Sequence, residues 1–271
     1  MIFSKTPGTF STAPTFEQLR ATRLSGTKKS AVDEFFEVYR QLTPPFQALL
    51  DHIFAQPGVW TAFMHGPSSR QGHHCGRGGN LRHSVDVARI SLALAADAAV
   101  KHLIDTDVVI VSALVHDLGK TQEYETGSRD TKMSPLGRLV GHKFTGFGMT
   151  WAPLHNVPGI GERQRLAILN CLSSSPHGMA WGARGPACLE AQIVSHADQL
   201  SASTDLFRAS QVASRNAGFG VRHEHQRETP YHVTPLPLRT PVAPAARPSL
   251  EARLNAALKA SRHYFSTSRR A

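Results

Sequence analysis

The stretch "SALVHDLGKT" (112–121) sets two metal-ligating side chains, His116 and Asp117, side by side after an apolar run, with Lys120 three residues beyond Asp117. Imidazole nitrogen and carboxylate oxygen together suit a divalent ion of hard or borderline character: Mn, Fe, Ni, Zn or Mg. No cysteine pair of the kind that builds a structural zinc site is present. Two further residues of the right type fall on helical faces that turn inward. His83 shares a stripe with Val87, Ile90 and Leu94, and Asp198 shares one with Ala191 and Val194. An interior carboxylate without a charge partner is costly, and a metal offsets that cost. Water at an open position of such an ion becomes a nucleophile toward phosphorus, and Lys120 could neutralise a phosphate oxygen beside it. By spacing alone, a purely structural role for these side chains stands equally open, because His and Asp are common residues.

Helices must position these groups. Phe35, Val38, Tyr39 and Leu42 follow helical spacing over 32–42, Thr43-Pro44 reads as a fresh start, and Phe46, Leu49, Leu50 and Ile53 continue a second helix. The glycine-rich break "GHHCGRGGN" precedes a helix from about 81 to 100, and Thr106 is the expected cap of another through "DVVIVSALVHDLG", with Gly119 as its terminator. Further helices are expected at 137–151, 162–174 and 188–208. Alternating strand patterns with hairpin turns are scarce, so the fold class is all-α.

At 271 residues with 41% hydrophobic side chains, the simplest organisation is one folded unit with tails. The formal charge of +10 is unevenly spread: residues 1–30 carry five Lys/Arg against one acid, 215–271 carry ten against three, and 31–214 carry fifteen against sixteen. Basic ends around a neutral core could concentrate a polyanion, with strong salt dependence, or could be solvated tails without a partner. Residues 1–30 read as a flexible segment, 31–214 as the helical domain, 215–248 as a proline-rich disordered linker, and 249–271 as a short basic amphipathic helix and tail. Cys75, Cys171 and Cys188 fit reduced thiols, and there is neither a membrane-spanning run nor a secretory leader, which makes the expected location cytoplasmic.

His83 in "LRHSVDVA", the doublet in "ALVHDLGK" and Asp198 in "HADQL" resemble the H…HD…D signature of HD-domain metal-dependent phosphohydrolases, which implies an HD-type helical bundle. More narrowly, "GPSSRQGHHCGRGGNLRHSVDVA" is similar to the entry motif of two branches: the HD domain of YhaM-type 3′-to-5′ exoribonucleases and the TraI-like domain of conjugative relaxases. "PLGRLVGHKFTG", "PHGMAWGARGPACLEAQIVSHADQL" and "YE" at 124–125 follow in exoribonuclease-like order, and the resemblance spans about 60–207.

The resemblance implies that His83, His116, Asp117 and Asp198 hold the principal metal. His142 is a further ligand and His177 part of a second site, while Asp117 and Lys120 act catalytically. His73 and His74 fall at the pocket entrance, where a plain exposed loop is the alternative, and Arg138 and Lys143 could face phosphates. Where relatives carry adjacent histidines before glycine, this chain reads "SSSPHGMAWG", with Pro176 in place of one of them. The expectation is therefore one tight ion and a second that is weak or arrives with the substrate. The roughly 60 residues before the match read as a flexible stretch plus two helices, not as the five-stranded barrel of the exoribonucleases. The implied activity is hydrolysis of a phosphoester in a nucleotide or single-stranded nucleic acid. The alternative is a non-catalytic nucleic-acid-binding or scaffold module, including an accessory protein of a mobile element. Oligomeric state is not legible.

Overall fold

Every residue from Val108 to Val115 is buried, and a helix that is apolar on all sides has no face for solvent, so this segment occupies the centre of the domain. The computed structural model describes residues 16, 30–97, 99–125, 131–174, 184–213, 218–219 and 232–233. In chain order the helices are α1 (Ala31–Tyr39), α2 (Pro44–Phe54), α3 (Val59–His65), α4 (Gly79–Ala95), α5 (Thr106–Val115), α6 (Lys120–Glu123), α7 (Pro135–Leu139), α8 (His142–Asn156), α9 (Glu162–Ser173) and α10 (Leu189–Ala213). Two short antiparallel pairs are the strands described: β1 (Tyr124–Glu125) with β2 (Lys132–Met133), and β3 (Gly218–Phe219) with β4 (His232–Val233). The bundle is all-α, as the periodicity implies. None of the described helices is long and apolar enough to cross a membrane.

The central α5 packs against α4, α9 and α10, and α4 packs against α10 and α1. An aromatic cluster closes the N-terminal end: Phe35, Phe36, Phe54, Trp60 and Phe63 meet at 5.0–6.1 Å, edge-on or tilted except where Trp60 stacks on Phe63. Phe16, within the stretch expected to be flexible, is buried among these rings and stacks on Phe54. A capping box of Ser30 and Asp33 opens α1. Arg82 on α4 joins both carboxylate oxygens of Glu34 on α1, at 2.8 and 3.0 Å, and also reaches Asp86.

Three local expectations change. Asp105, not Thr106, caps α5, since its side chain accepts from the Val108 N–H. The helix expected over 137–151 is two helices, because Gly141 takes a positive φ of 79° that interrupts the ladder and lets α8 start at His142 with a new direction. Gly119 is not a left-handed terminator; its φ is −61°. It is a contact glycine: a Cβ there would sit 2.0 Å from the His142 carbonyl oxygen and 2.6 Å from the Gly146 nitrogen. Only a residue without a side chain lets the turn after His116-Asp117 touch the start of α8. The linker 215–248, the helix at 249–271 and His177 lie outside the described residues, apart from the strand residues of β3 and β4.

The cysteines are free; Cys188, which precedes α10, donates its thiol to Asn170 Oδ1 at 3.7 Å and lies near the buried Cys171 thiol on α9. Interaction with the Cys171 thiol lowers the Cys188 thiol to about 7 against the opposing effect of burial, and Cys188 together with burial pushes Cys171 well above the ordinary range. Peptide mapping after iodoacetamide treatment should therefore find Cys188 alkylation half-maximal near pH 7. In Cys171→Ala the midpoint should rise toward the ordinary thiol value of about 8.5. The same ordinary midpoint in the unmodified chain would contradict the contact.

Candidate metal centre

His83 reaches the centre from α4, where it is fully buried, because the chain enters that helix through Gly78 and Gly79. Gly78 has φ 77°, and a Cβ on Gly79 would collide with the His74 carbonyl oxygen at 1.8 Å, so the preceding loop lies directly on the first turn of α4. His116 caps the end of α5, Asp117 follows it, and both are 4% exposed. Asp198 comes from α10, on the face that buries Ala191 and Val194, as its spacing implies.

The donor atoms of these four residues converge. His83 Nε2 lies 3.0 Å from Asp198 Oδ1, 3.3 Å from His116 Nε2 and 3.4 Å from Asp117 Oδ2. His116 Nε2 is 3.3 Å from Asp117 Oδ2 and 3.7 Å from Asp198 Oδ1. Donors each about 2.1 Å from one ion, in tetrahedral or octahedral arrangement, stand roughly 3.0–3.5 Å apart, so the spacing of His83, His116 and Asp117 fits a single divalent ion, with Asp198 Oδ1 beside both imidazoles. Each imidazole is also oriented from behind. Nδ1 of His116 donates to the Ala113 carbonyl at 2.9 Å, and Nδ1 of His83 stands 3.1 Å from the Ser201 hydroxyl, which can accept from it. This arrangement leaves both Nε2 lone pairs aimed into the cluster, where a positive species must separate them.

The electrostatics agree. Burial opposes charge on His116, but Asp117 and Asp198 outweigh it and hold this imidazole up to about 10, while burial and the charge on His116 keep His83 neutral. Burial likewise opposes ionisation of Asp117, yet Lys120 and His116 hold it well below the usual carboxylate range; the two histidines do the same for Asp198. Two carboxylates are thus balanced by the Lys120 ammonium and one shared proton, and a metal ion could take the place of that proton.

Lys120 Nζ lies 2.6 Å from Asp117 Oδ2 and donates to Ser68 Oγ at 3.1 Å; both its partners are buried. The other oxygen of Asp117 faces the opposite way: Oδ1 is 3.6 Å from His142 Nε2, and His142 Nδ1 is 2.5 Å from Glu123 Oε2. The side chains of His142 and Asp198 are 30% and 37% exposed, which marks the open side of an otherwise closed cluster.

His73 and His74 are not a solvated loop. Their rings pack 4.6 and 5.1 Å from that of His83, and their Nδ1 atoms stand 3.2 Å apart. His74 adopts a left-handed φ of 49°, fixed by its N–H donating to Asp205 Oδ2 at 2.7 Å, and its ring lies between Asp86 and Asp205. Burial and the neighbouring His83 push His73 down to about 3, so it stays neutral. Arg138 lies apart from the cluster, exposed on the wall of a neighbouring cleft, and Lys143 is half-buried beside His142.

Sequence reasoning missed Ser68, Glu123, Ser201, Asp86 and Asp205. Two of them carried a signal: Glu123 is three residues from Lys120 and Ser201 three from Asp198, each one helical turn away.

Residues 80–203 match the family model of the HD domain. The chain is 28% identical to a 3′-5′ exoribonuclease YhaM from Halalkalibacterium halodurans over 174 residues, 62% of this chain and 51% of that protein. It is 25% identical to the protein of the same name from Bacillus velezensis over 207 residues, covering 68% and 62%. The corresponding Bacillus subtilis protein is 28% identical over 149 residues, covering 53% and 45%. The chain thus spans about half the length of the curated relatives it matches. No solved structure matches it.

Proposed function

We propose that this chain, which carries an HD domain over residues 80–203, is a metal-dependent hydrolase of a phosphoester in a nucleotide or single-stranded nucleic acid. The observation that carries the reading is the convergence of His83, His116, Asp117 and Asp198 from the neighbourhood of three helices, with both imidazole Nε2 atoms turned inward. The names of the relatives, exoribonucleases, support RNA or its fragments as the substrate class.

His83, His116, Asp117 and Asp198 would hold Mn, Fe, Ni, Zn or Mg. Such an ion, when bound, supplies an activated water at neutral pH and Lewis acidity toward a phosphoryl oxygen. The protein's own groups do the rest. Ala113 and Ser201 fix the imidazoles, and Lys120 stands beside Asp117 to stabilise negative charge developing on the phosphoryl group. His142, oriented by Glu123 toward the second oxygen of Asp117, lies where a weaker second ion or a leaving oxygen would be met. His73 and His74 form the entrance wall and keep water from the rear of His83.

Metal analysis of the purified protein, followed by a panel of phosphomonoesters, phosphodiesters and short single strands, tests this. The wild type should retain about one ion per chain and turn over at least one diester. His116→Ala should lose both. A metal-loaded wild type that hydrolyses nothing on the panel would leave a binding module as the reading.

A further inference from the structure

Beside the metal cluster lies a second concavity, of about 650 Å³, whose walls include Arg70, Gln71, Lys132, Met133 and Arg138. Among the described residues that line it, three are cations and none is a carboxylate. Among the described residues, none of the three cations forms an ion pair with an acid. This concentration is not an overflow of general basicity, since residues 31–214 hold fifteen Lys/Arg against sixteen acids. Arg70, Lys132 and Arg138 are exposed, with guanidinium or ammonium groups open to a ligand, and Met133 adds an apolar surface.

Both walls are anchored to the cluster. The first is the segment 68–75: Ser68 Oγ accepts from Lys120 Nζ, Ser69 Oγ donates to the His73 carbonyl at 2.7 Å, and the His73 ring rests on His83. Arg70 and Gln71 stand between these two attachments. The second wall is the β2–α7 segment. Ser134 N–H donates to the Glu123 carbonyl at 2.8 Å, Ser134 Oγ donates to the Gln122 carbonyl, and a Cβ on Gly137 would sit 2.5 Å from the Glu123 oxygen. Arg138 therefore rides on α6, the short helix that carries Lys120 and Glu123. A ligand lying in the cleft is held in register with the cluster by side-chain contacts on the first wall and mainly backbone contacts on the second.

We infer that this cleft binds the phosphates that flank the scissile one, so that the substrate is a single-stranded nucleic acid and not a mononucleotide. The inference rests on the hydrolytic reading for where the scissile phosphate sits. A mononucleotide spends its phosphate at the metal cluster and leaves the cleft's cations unused, whereas a strand carries a further phosphate at every step. The volume admits a nucleotide or two of single strand, within the usual range for small-ligand sites. Arginine forks match phosphate oxygens, and Met133 offers a base an apolar face.

Arg70→Gln/Lys132→Gln tests the cleft. In chelator, where turnover does not intervene, the affinity for a labelled single strand of about six nucleotides should fall at least tenfold. The slope of log affinity against log salt should become shallower by about 1.4, two phosphate contacts' worth for a single strand. Binding of AMP, measured with metal restored, should change by less than about twofold. With metal restored, the ratio of kcat/KM on the strand to that on bis(p-nitrophenyl) phosphate should fall at least tenfold. If the wild type hydrolyses neither substrate while the binding contrast persists, the hydrolytic reading fails and the cleft stands as a strand-binding site. Unchanged strand affinity and salt slope in the variant, or an equal loss for strand and AMP, would overturn the inference.

Discussion

Asp117→Ala should abolish metal retention and hydrolysis together, while far-UV circular dichroism stays near that of the wild type. Asp117 ties both sides of the cluster together: one oxygen meets His83, His116 and Lys120, and the other faces His142. Its loss removes a donor and also one of the two charges that make the pocket attractive to a cation. The remaining Asp198 is then matched only by the imidazoles of His83 and His116. A loss of roughly a thousandfold or more in kcat/KM, about 4 kcal/mol of transition-state stabilisation, is the expected scale. Alanine also strands the Lys120 ammonium in a buried site, and breaking such a pair costs about 3–5 kcal/mol of stability. Asp117→Asn serves as the companion variant, since it keeps the shape and a hydrogen-bonding oxygen but not the charge. Elemental analysis of both proteins after gel filtration decides the matter, and an unchanged stoichiometry would remove Asp117 from the ligand set.

The inward stripes were legible because two rules point the same way. His83 and Val87 share a face and are both fully buried, and Asp198 lies with Ala191 and Val194 as the helical period requires. The stripe fails at Leu94, which is 42% exposed although it continues the same face, because α4 ends at Ala95 with that last turn largely uncovered. Gly119 was legible as a special position but for the wrong reason. Its role depends on where α8 passes, and no local pattern states that. The same holds for Ser68, Asp86 and Asp205, whose contacts with Lys120 and His74 span between 12 and 131 residues of chain. A sequence shows which side chains are able to bind a metal; the tertiary register decides which hydroxyls and carboxylates stand behind them. The strained His74 belongs to that second class, because its φ is imposed by a carboxylate on α10.

Lys120→Met should separate metal holding from chemistry. The ammonium lies 2.6 Å from Asp117 Oδ2, the oxygen that also faces both imidazoles, so in the metal-free protein Lys120 competes with any cation for that atom. Methionine fills similar space without charge or donor, and Ser68 loses only one of its contacts. Metal should therefore be retained, and held more tightly than in the wild type. Turnover should fall by roughly a hundred- to a thousandfold, the usual scale for deleting one charged stabiliser of a developing oxyanion. Stability supplies an independent reading of the same balance. Without Lys120 the repulsion between the Asp117 and Asp198 charges of the metal-free pocket is offset only by the shared proton, so the apo protein should melt lower than apo wild type. Added metal relieves that repulsion, and its stabilisation grows with its affinity, so the metal-induced rise in Tm should exceed the rise seen in the wild type. Thermal melts with and without chelator, read beside kcat, separate the roles: loss of metal together with activity would make Lys120 part of the binding framework, and full activity with tighter metal would leave it no part in stabilising the reacting phosphate.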